Sequence, residues 1–87
     1  MVAITAVHMV GGSRHEHIAE VKWTNATKSD RSSREEMVRY LRAPGNRAQV
    51  TAGGKTAEVG VVNASPPYIQ THADGVWTDN LLALPRY

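Results

Sequence analysis

Residues Val2 to Val10 read Val-Ala-Ile-Thr-Ala-Val-His-Met-Val, a β-branched and apolar run of strand length. Strict alternation sets Ile4, Ala6, His8 and Val10 on one side and Thr5, Val7 and Met9 on the other, so apolar side chains fall on both sides. Gly11-Gly12-Ser13 breaks the run. From His17 to Thr24, Ala19, Val21 and Trp23 alternate with Glu20 and Lys22, predicting a strand covered on one face and wet on the other. The polar stretch from Gly11 to Glu16 exceeds a two-residue turn, so the two strands are expected to pair antiparallel across a longer loop.

Residues 25 to 32 are polar and read as a loop. Ser33 with Glu36 forms a capping box, and Ser32 with Glu35 offers the same pattern one residue earlier. Met37, Val38, Tyr40 and Leu41 then gather within one arc of a helix, with Glu35, Glu36, Arg39 and Arg42 opposite. This predicts an amphipathic helix over about residues 33–42, stopped by Pro44 and Gly45. Ala48 to Ala52 and Lys55 to Val62 flank Gly53-Gly54, the signature of a tight hairpin. Within the second of these strands Gly60 marks either a bulge or a place where a neighbouring group comes close. Pro66-Pro67 ends that strand. Tyr68 to His72 predicts a further strand, Ala73-Asp74-Gly75 a turn, and Val76-Trp77-Thr78 a sixth strand or extended edge. Asp79, as an N-cap, opens a helical turn carrying Leu81, Leu82 and Leu84 before Pro85. Those leucines need a cover, expected beside Trp23 or Trp77. The fold class is thus α+β: a small, twisted, mostly antiparallel sheet of four to six short strands, one helix packed on it, and a short C-terminal helical turn that closes a thin interior.

The 87 residues suit a single domain spanning 1–87. Cysteine is absent, so burial must supply nearly all the stability, and no run of signal-peptide or membrane-span length occurs; a cytoplasmic protein without membrane contact is the expectation. Ten Lys and Arg against eight Asp and Glu leave a net charge of only +2. That is too weak a field to announce a nucleic-acid binder without clustering.

Candidate chemistry is sparse. Gly53-Gly54-Lys55-Thr56 imitates the end of a phosphate-binding loop, but Gln49 stands where the first glycine belongs, and strands are predicted on both sides. His15 and His17 share a strand face and, with His8 or His72, offer a metal site. His72 and Asp74 suggest a base and an acid, although no nucleophile accompanies them. Arg31, Arg34, Arg39 and Arg42 offer phosphates a basic face, interrupted by Glu35 and Glu36; Glu35 is placed to pair with Arg39.

Ile4-Thr5-Ala6-Val7 at the start, with Tyr68-Ile69-x-Thr71, Asp74-Gly75, Asp79-Asn80-Leu81 and Leu84-Pro85 at the end, resembles a family of small bacterial and phage-borne domains of unknown function. The resemblance covers most of the chain, and the insert around Ser13 to His17 is longer than the first loop of that family. It implies no activity, cofactor or substrate.

A small sheet with one helix leaves strand edges unpaired, which suits protein binding by strand addition or self-association. The expectation is a non-enzymatic interaction module without cofactor, metal or catalytic residues. Its partner is a protein or a second copy, met by Tyr68 and Trp77 as anchors together with Thr71, Asp74, Arg39 and Arg42. A weak nucleic-acid binder using the helix arginines, and a metal or small-molecule site near the histidines, are the alternatives.

Overall fold

A computed structural model describes residues 1–52, 54–73 and 75–87. Seven strands, β1 (Val2–Met9), β2 (Ile18–Thr24), β3 (Ser29–Ser33), β4 (Ala48–Ala52), β5 (Lys55–Val62), β6 (Tyr68–Ala73) and β7 (Val76–Thr78), form one sheet in the order β3-β2-β1-β4-β5-β6-β7. Among the described residues a single helix, α1 (Arg34–Arg42), connects β3 to β4, and 3₁₀ segments occupy His15–His17 and Asn80–Ala83. All neighbours pair antiparallel except β1 with β4, where Val2 and Ala3 meet Ala48 and Gln49 in parallel. The domain is therefore mostly β, with seven strands rather than the four to six expected.

The additional strand is β3. Its sequence, Ser-Asp-Arg-Ser-Ser, carries no apolar pattern because it is an end strand wet on most of its surface. Ladder bonds to β2, from Glu20↔Ser33 to Thr24↔Ser29, hold it, and the Trp23 indole N–H donates to the Ser32 hydroxyl at 2.9 Å.

Strict alternation fails in β1 and β2. The pairing runs Ile4↔Trp23 and then Ala6↔Lys22, which leaves Thr5 as an extra residue on β1; it runs His8↔Glu20 and then Met9↔Ile18, which leaves Ala19 extra on β2. Each bulge reverses the parity of its strand. Val2, Ile4 and Val7 consequently share a face with Ile18 and Val21, and all five are buried.

The sheet curls around that face. In a flat sheet β2 and β6 would stand about 19 Å apart, four strand spacings. The 3₁₀ segment that leads into β2 nevertheless touches β6, and α1 touches β2 and β3 as well as β5 and β6. Ser33 caps α1 as expected: its hydroxyl accepts from the Glu36 N–H at 3.1 Å, and the Glu36 carboxylate accepts from the Ser33 N–H at 2.9 Å. Met37 and Val38 enter the core. Glu35 pairs with Arg34 at 3.1 Å instead of with Arg39.

The other end of the interior is closed by Asn80–Ala83, which packs on β1, β4 and β6 and buries Leu81 completely and Leu84 nearly so. Asp79 makes no side-chain cap there. Beyond it, the Pro85 carbonyl accepts from the Val7 N–H at 2.9 Å and the Tyr87 N–H donates to the Val7 carbonyl at 3.2 Å, so the tail runs along the part of β1 that β4 does not reach. Among the described residues no helix is long and apolar enough to cross a membrane.

Truncating Leu81 to Ala is expected to cost about 2–5 kcal/mol in a urea titration, the range for a fully buried leucine. Ser33→Ala is expected to cost about 1 kcal/mol through loss of the cap. A loss at Leu81 no larger than at Ser33 would show that the closing segment is not part of the core.

Candidate functional site

With α1 and both 3₁₀ segments on the inner face, no helical element covers the outer face of the sheet, which is bare apart from the Tyr87 ring beside His8, Glu20 and Lys22. Two-residue connections close the β4–β5 and β6–β7 hairpins, at Ala52↔Lys55 and Ala73↔Val76, and Gly54 and Gly75 take φ of 77° in them. Gly53 of the glycine-pair reading and Asp74 of the expected partner surface lie outside the described residues.

Because a two-residue connection makes Ala73↔Val76 the hydrogen-bonded kind of pair, the next pair, His72↔Trp77, is of the other kind. The N–H and C=O of Trp77 are thus directed away from β6, toward the open edge of the sheet. The Trp77 side chain lies on the bare face, 47% exposed, and neighbouring Val76 is 63% exposed. Its ring is propped edge-on against His72, with centroids 5.6 Å apart and planes at 82°. Gly60 makes the arrangement possible. A Cβ there would stand 3.0 Å from the His72 ring and 3.4 Å from the Trp77 ring, and the β5–β6 register runs through Gly60 without a shift. Of the two sequence readings of Gly60, close approach is the correct one.

The expected site residues divide among three places. Tyr68 and Trp77 share the bare face, Tyr68 half-buried at the far end of β6. Thr71 is wholly buried: its hydroxyl lies 2.7 Å from the Thr78 hydroxyl and accepts from the Asn80 N–H at 3.2 Å. It tethers β7 and the closing segment to β6 and offers nothing to a partner. Arg39 and Arg42 belong to α1, on the other side of the sheet, where they line a groove of about 270 Å³ with Val38, Pro66 and Pro67. Arg42 donates to Asn63 at 3.2 Å, and Arg34 donates to the Glu16 carbonyl at 2.8 Å, so these two cations are held within the chain.

A model of proteins of unknown function, DUF3892, matches residues 3–85. The chain belongs to the DUF3892 family. The matched stretch takes in the helix, the closing segment, six whole strands and all but the first residue of β1. No curated protein and no solved structure matches it.

The four histidines of this DUF3892 chain part company. His17 belongs to a 3₁₀ segment rather than a strand, and its Nδ1 accepts from the Arg14 N–H at 3.2 Å. His72 supports Trp77. His8 Nδ1 bonds the Tyr87 main-chain oxygen, and its ring lies 5.4 Å from that of Tyr87. Among the described residues no group of three His, Asp or Glu side chains is placed to hold a metal ion. Sequence reasoning missed Tyr87, which had no pattern to announce it: its hydroxyl donates to Glu20 at 2.8 Å, and Lys22 Nζ sits 4.4 Å from its ring centre. Burial, then the bond to Glu20, pushes that phenol up to about 12.

His15 is the one buried histidine, and its Nε2 has no hydrogen-bond partner; the nearest charge, Asp79 Oδ1, is 3.9 Å away. Burial holds its pKa below 6.5, with Asp79 opposing. The unfolded chain therefore takes up a proton more readily than the folded one, so stability is complete above the unfolded value and declines as pH falls through it. Glu36 and Glu58 are held below 4.5, so their losses come at lower pH. Between about pH 7.5 and pH 5 the parent should lose more melting temperature than His15→Leu; equal losses would clear His15 as the cause.

Proposed function

We propose that this DUF3892 domain is a non-enzymatic protein-binding module of bacterial or phage origin, working in the cytoplasm, whose contact surface is the β7 edge. The single observation that carries the reading is Trp77, an exposed indole on an end strand whose own main-chain donor and acceptor are directed outward. An added strand from a partner, or from a second copy, would take up those main-chain groups while covering the ring. Covering the exposed part of Trp77 removes roughly 100 Å² from water, about 2–3 kcal/mol, and tryptophan combines such area with few rotamers to freeze.

Further support comes from how firmly the edge is mounted. Thr71, Thr78 and Asn80 lock β7 from the inner face, Gln70 Nε2 donates to the Thr78 carbonyl at 3.2 Å, and His72 and Gly60 fix the indole from the outer face. A surface ordered before binding loses less entropy on association.

Light scattering over a range of concentrations tests the second copy, and capture from a lysate of the source organism, with identification of the captured protein, tests a different partner. Association is expected in one of the two, and Trp77→Lys is expected to abolish it with an unchanged melting temperature. The proposal fails if neither assay shows association, or if Trp77→Lys associates as the parent does.

A further inference from the structure

The opposite end of the same face carries a pair of cations that the β7 edge does not use, one of which, Lys22, also has its Nζ over the Tyr87 ring. Lys22 of β2 and Arg31 of β3 stand directly opposite each other in the ladder, both exposed. Like charges in that position repel and weaken the pairing of the strands. Four other cations have carboxylate partners, Arg14 with Glu16, Lys28 with Asp30, Arg34 with Glu35 and Arg47 with Glu58. Arg39, Arg42, Lys55 and Arg86 form no ion pair among the described residues, and none of these four faces another cation across a ladder. Among the described residues no carboxylate forms an ion pair with Lys22 or Arg31. Glu20, the nearest acid on that face of β2, is bonded to the Tyr87 hydroxyl. Asp30 accepts from the N–H of Arg31 at 2.8 Å and faces Lys28 at 3.8 Å.

The two cations border a groove of about 520 Å³, within the range of small-molecule sites, whose walls also include Thr5, Thr24, Ser29 and Asp30. Thr5 is the bulge residue of β1, and bulges re-aim side chains beside functional sites. Its hydroxyl reaches only the Lys22 carbonyl at 3.4 Å, long for an O–H···O bond, so it is free to turn to a better acceptor.

We propose that this groove binds a phosphoryl group of a small phosphorylated molecule, with Arg31 and Lys22 meeting the phosphate oxygens and Thr5 donating a further hydrogen bond. A dianion answers both cations, whereas a carboxylate would leave one of them uncompensated. The planar guanidinium of Arg31 fits phosphate in two-point fashion while Lys22 serves as a compact point charge. A nucleic-acid strand is the poorer occupant, because a polyanion calls for a stripe of cations and this face offers one pair beside the neutralised Arg47.

Titrating the ¹⁵N-labelled chain at low salt with inorganic phosphate, pyrophosphate, adenosine monophosphate and a short oligothymidylate tests the site by amide shifts and calorimetry. Saturable shifts centred on Thr5, Lys22 and Arg31 are expected with the first three. Affinity should fall about tenfold in Lys22→Gln and in Arg31→Gln, and less in Thr5→Val, while Lys55→Gln on the remote β4–β5 hairpin stays within about twofold of the parent. Arg31→Gln also removes the cross-strand repulsion, so it should melt no lower than the parent. The proposal is overturned by an absence of saturable shifts at about 10 mM phosphate or pyrophosphate, or by an equal loss in Lys55→Gln. It is also overturned by tighter binding of the oligonucleotide with an affinity that collapses with salt, which would make the occupant a nucleic-acid backbone.

Discussion

One-sided burial governs this structure. Among the described residues a nine-residue helix and two single-turn segments cover one face of the seven strands, so the apolar side chains of the core have to reach that face. Regular alternation in β1 would send Val7 to the side opposite Ile4, forfeiting about 1.5–3 kcal/mol of burial in a core of little more than a dozen residues. The bulges at Thr5 and Ala19 remove the conflict. Each adds one residue to one strand, reverses its parity, and sharpens the local twist, which is also what a sheet needs in order to curl. The same two irregularities therefore gather the core and help to wrap the sheet around it.

Wrapping creates two openings, and the chain fills them differently. α1 enters one with Met37 and Val38. Leu81 and Leu84 fill the other, positioned by a hydroxyl network in which Thr71 holds Thr78 and Asn80 rather than by a cap from Asp79. A threonine in the middle of a core strand is tolerated because its hydroxyl is satisfied within 3.2 Å on the element that it anchors. His15 is the counterexample. It is buried in the segment that packs on β6, 3.9 Å from Asp79 and with an unpartnered Nε2, so the polar atoms at this end are not all satisfied.

Features with a local signal were legible in the sequence. The Ser33 to Glu36 capping box, the amphipathic helix that follows and the turn beginning at Asn80 each depend on residues near one another in the chain, and at Gly60 the sequence left a bulge and a close approach both open. Features set by partners across the sheet were not. β3 is a strand because β2 offers it a ladder, with nothing apolar to betray it. The bulges surfaced only as an apparent contradiction, apolar residues on both sides of Val2 to Val10, whose solution lies in the register with β2. For the same reason the expected surface broke apart: Thr71 alternates inward, and Arg39 and Arg42 ride the helix on the far side from Trp77. Tyr87 became important only when the tail was laid beside Val7, within reach of His8, Glu20 and Lys22.

The face left bare by one-sided burial is not uniform, and its two ends meet the problem of exposed edges in different ways. β3 ends the sheet with serines, Asp30 and Arg31, the polar and charged surface that discourages chance pairing. β7 ends it with Val76 and Trp77 exposed, and limits the hazard only by being three residues long. A chain selected for solubility alone would carry the first solution at both ends. Gly60, which contributes no side chain to the sheet, stands against the His72 and Trp77 rings, and Thr5, which interrupts a ladder, borders the groove beside Lys22 and Arg31. Concessions in strand stability thus coincide with the two places where the surface breaks its own pattern, as expected where local rules yield to a function.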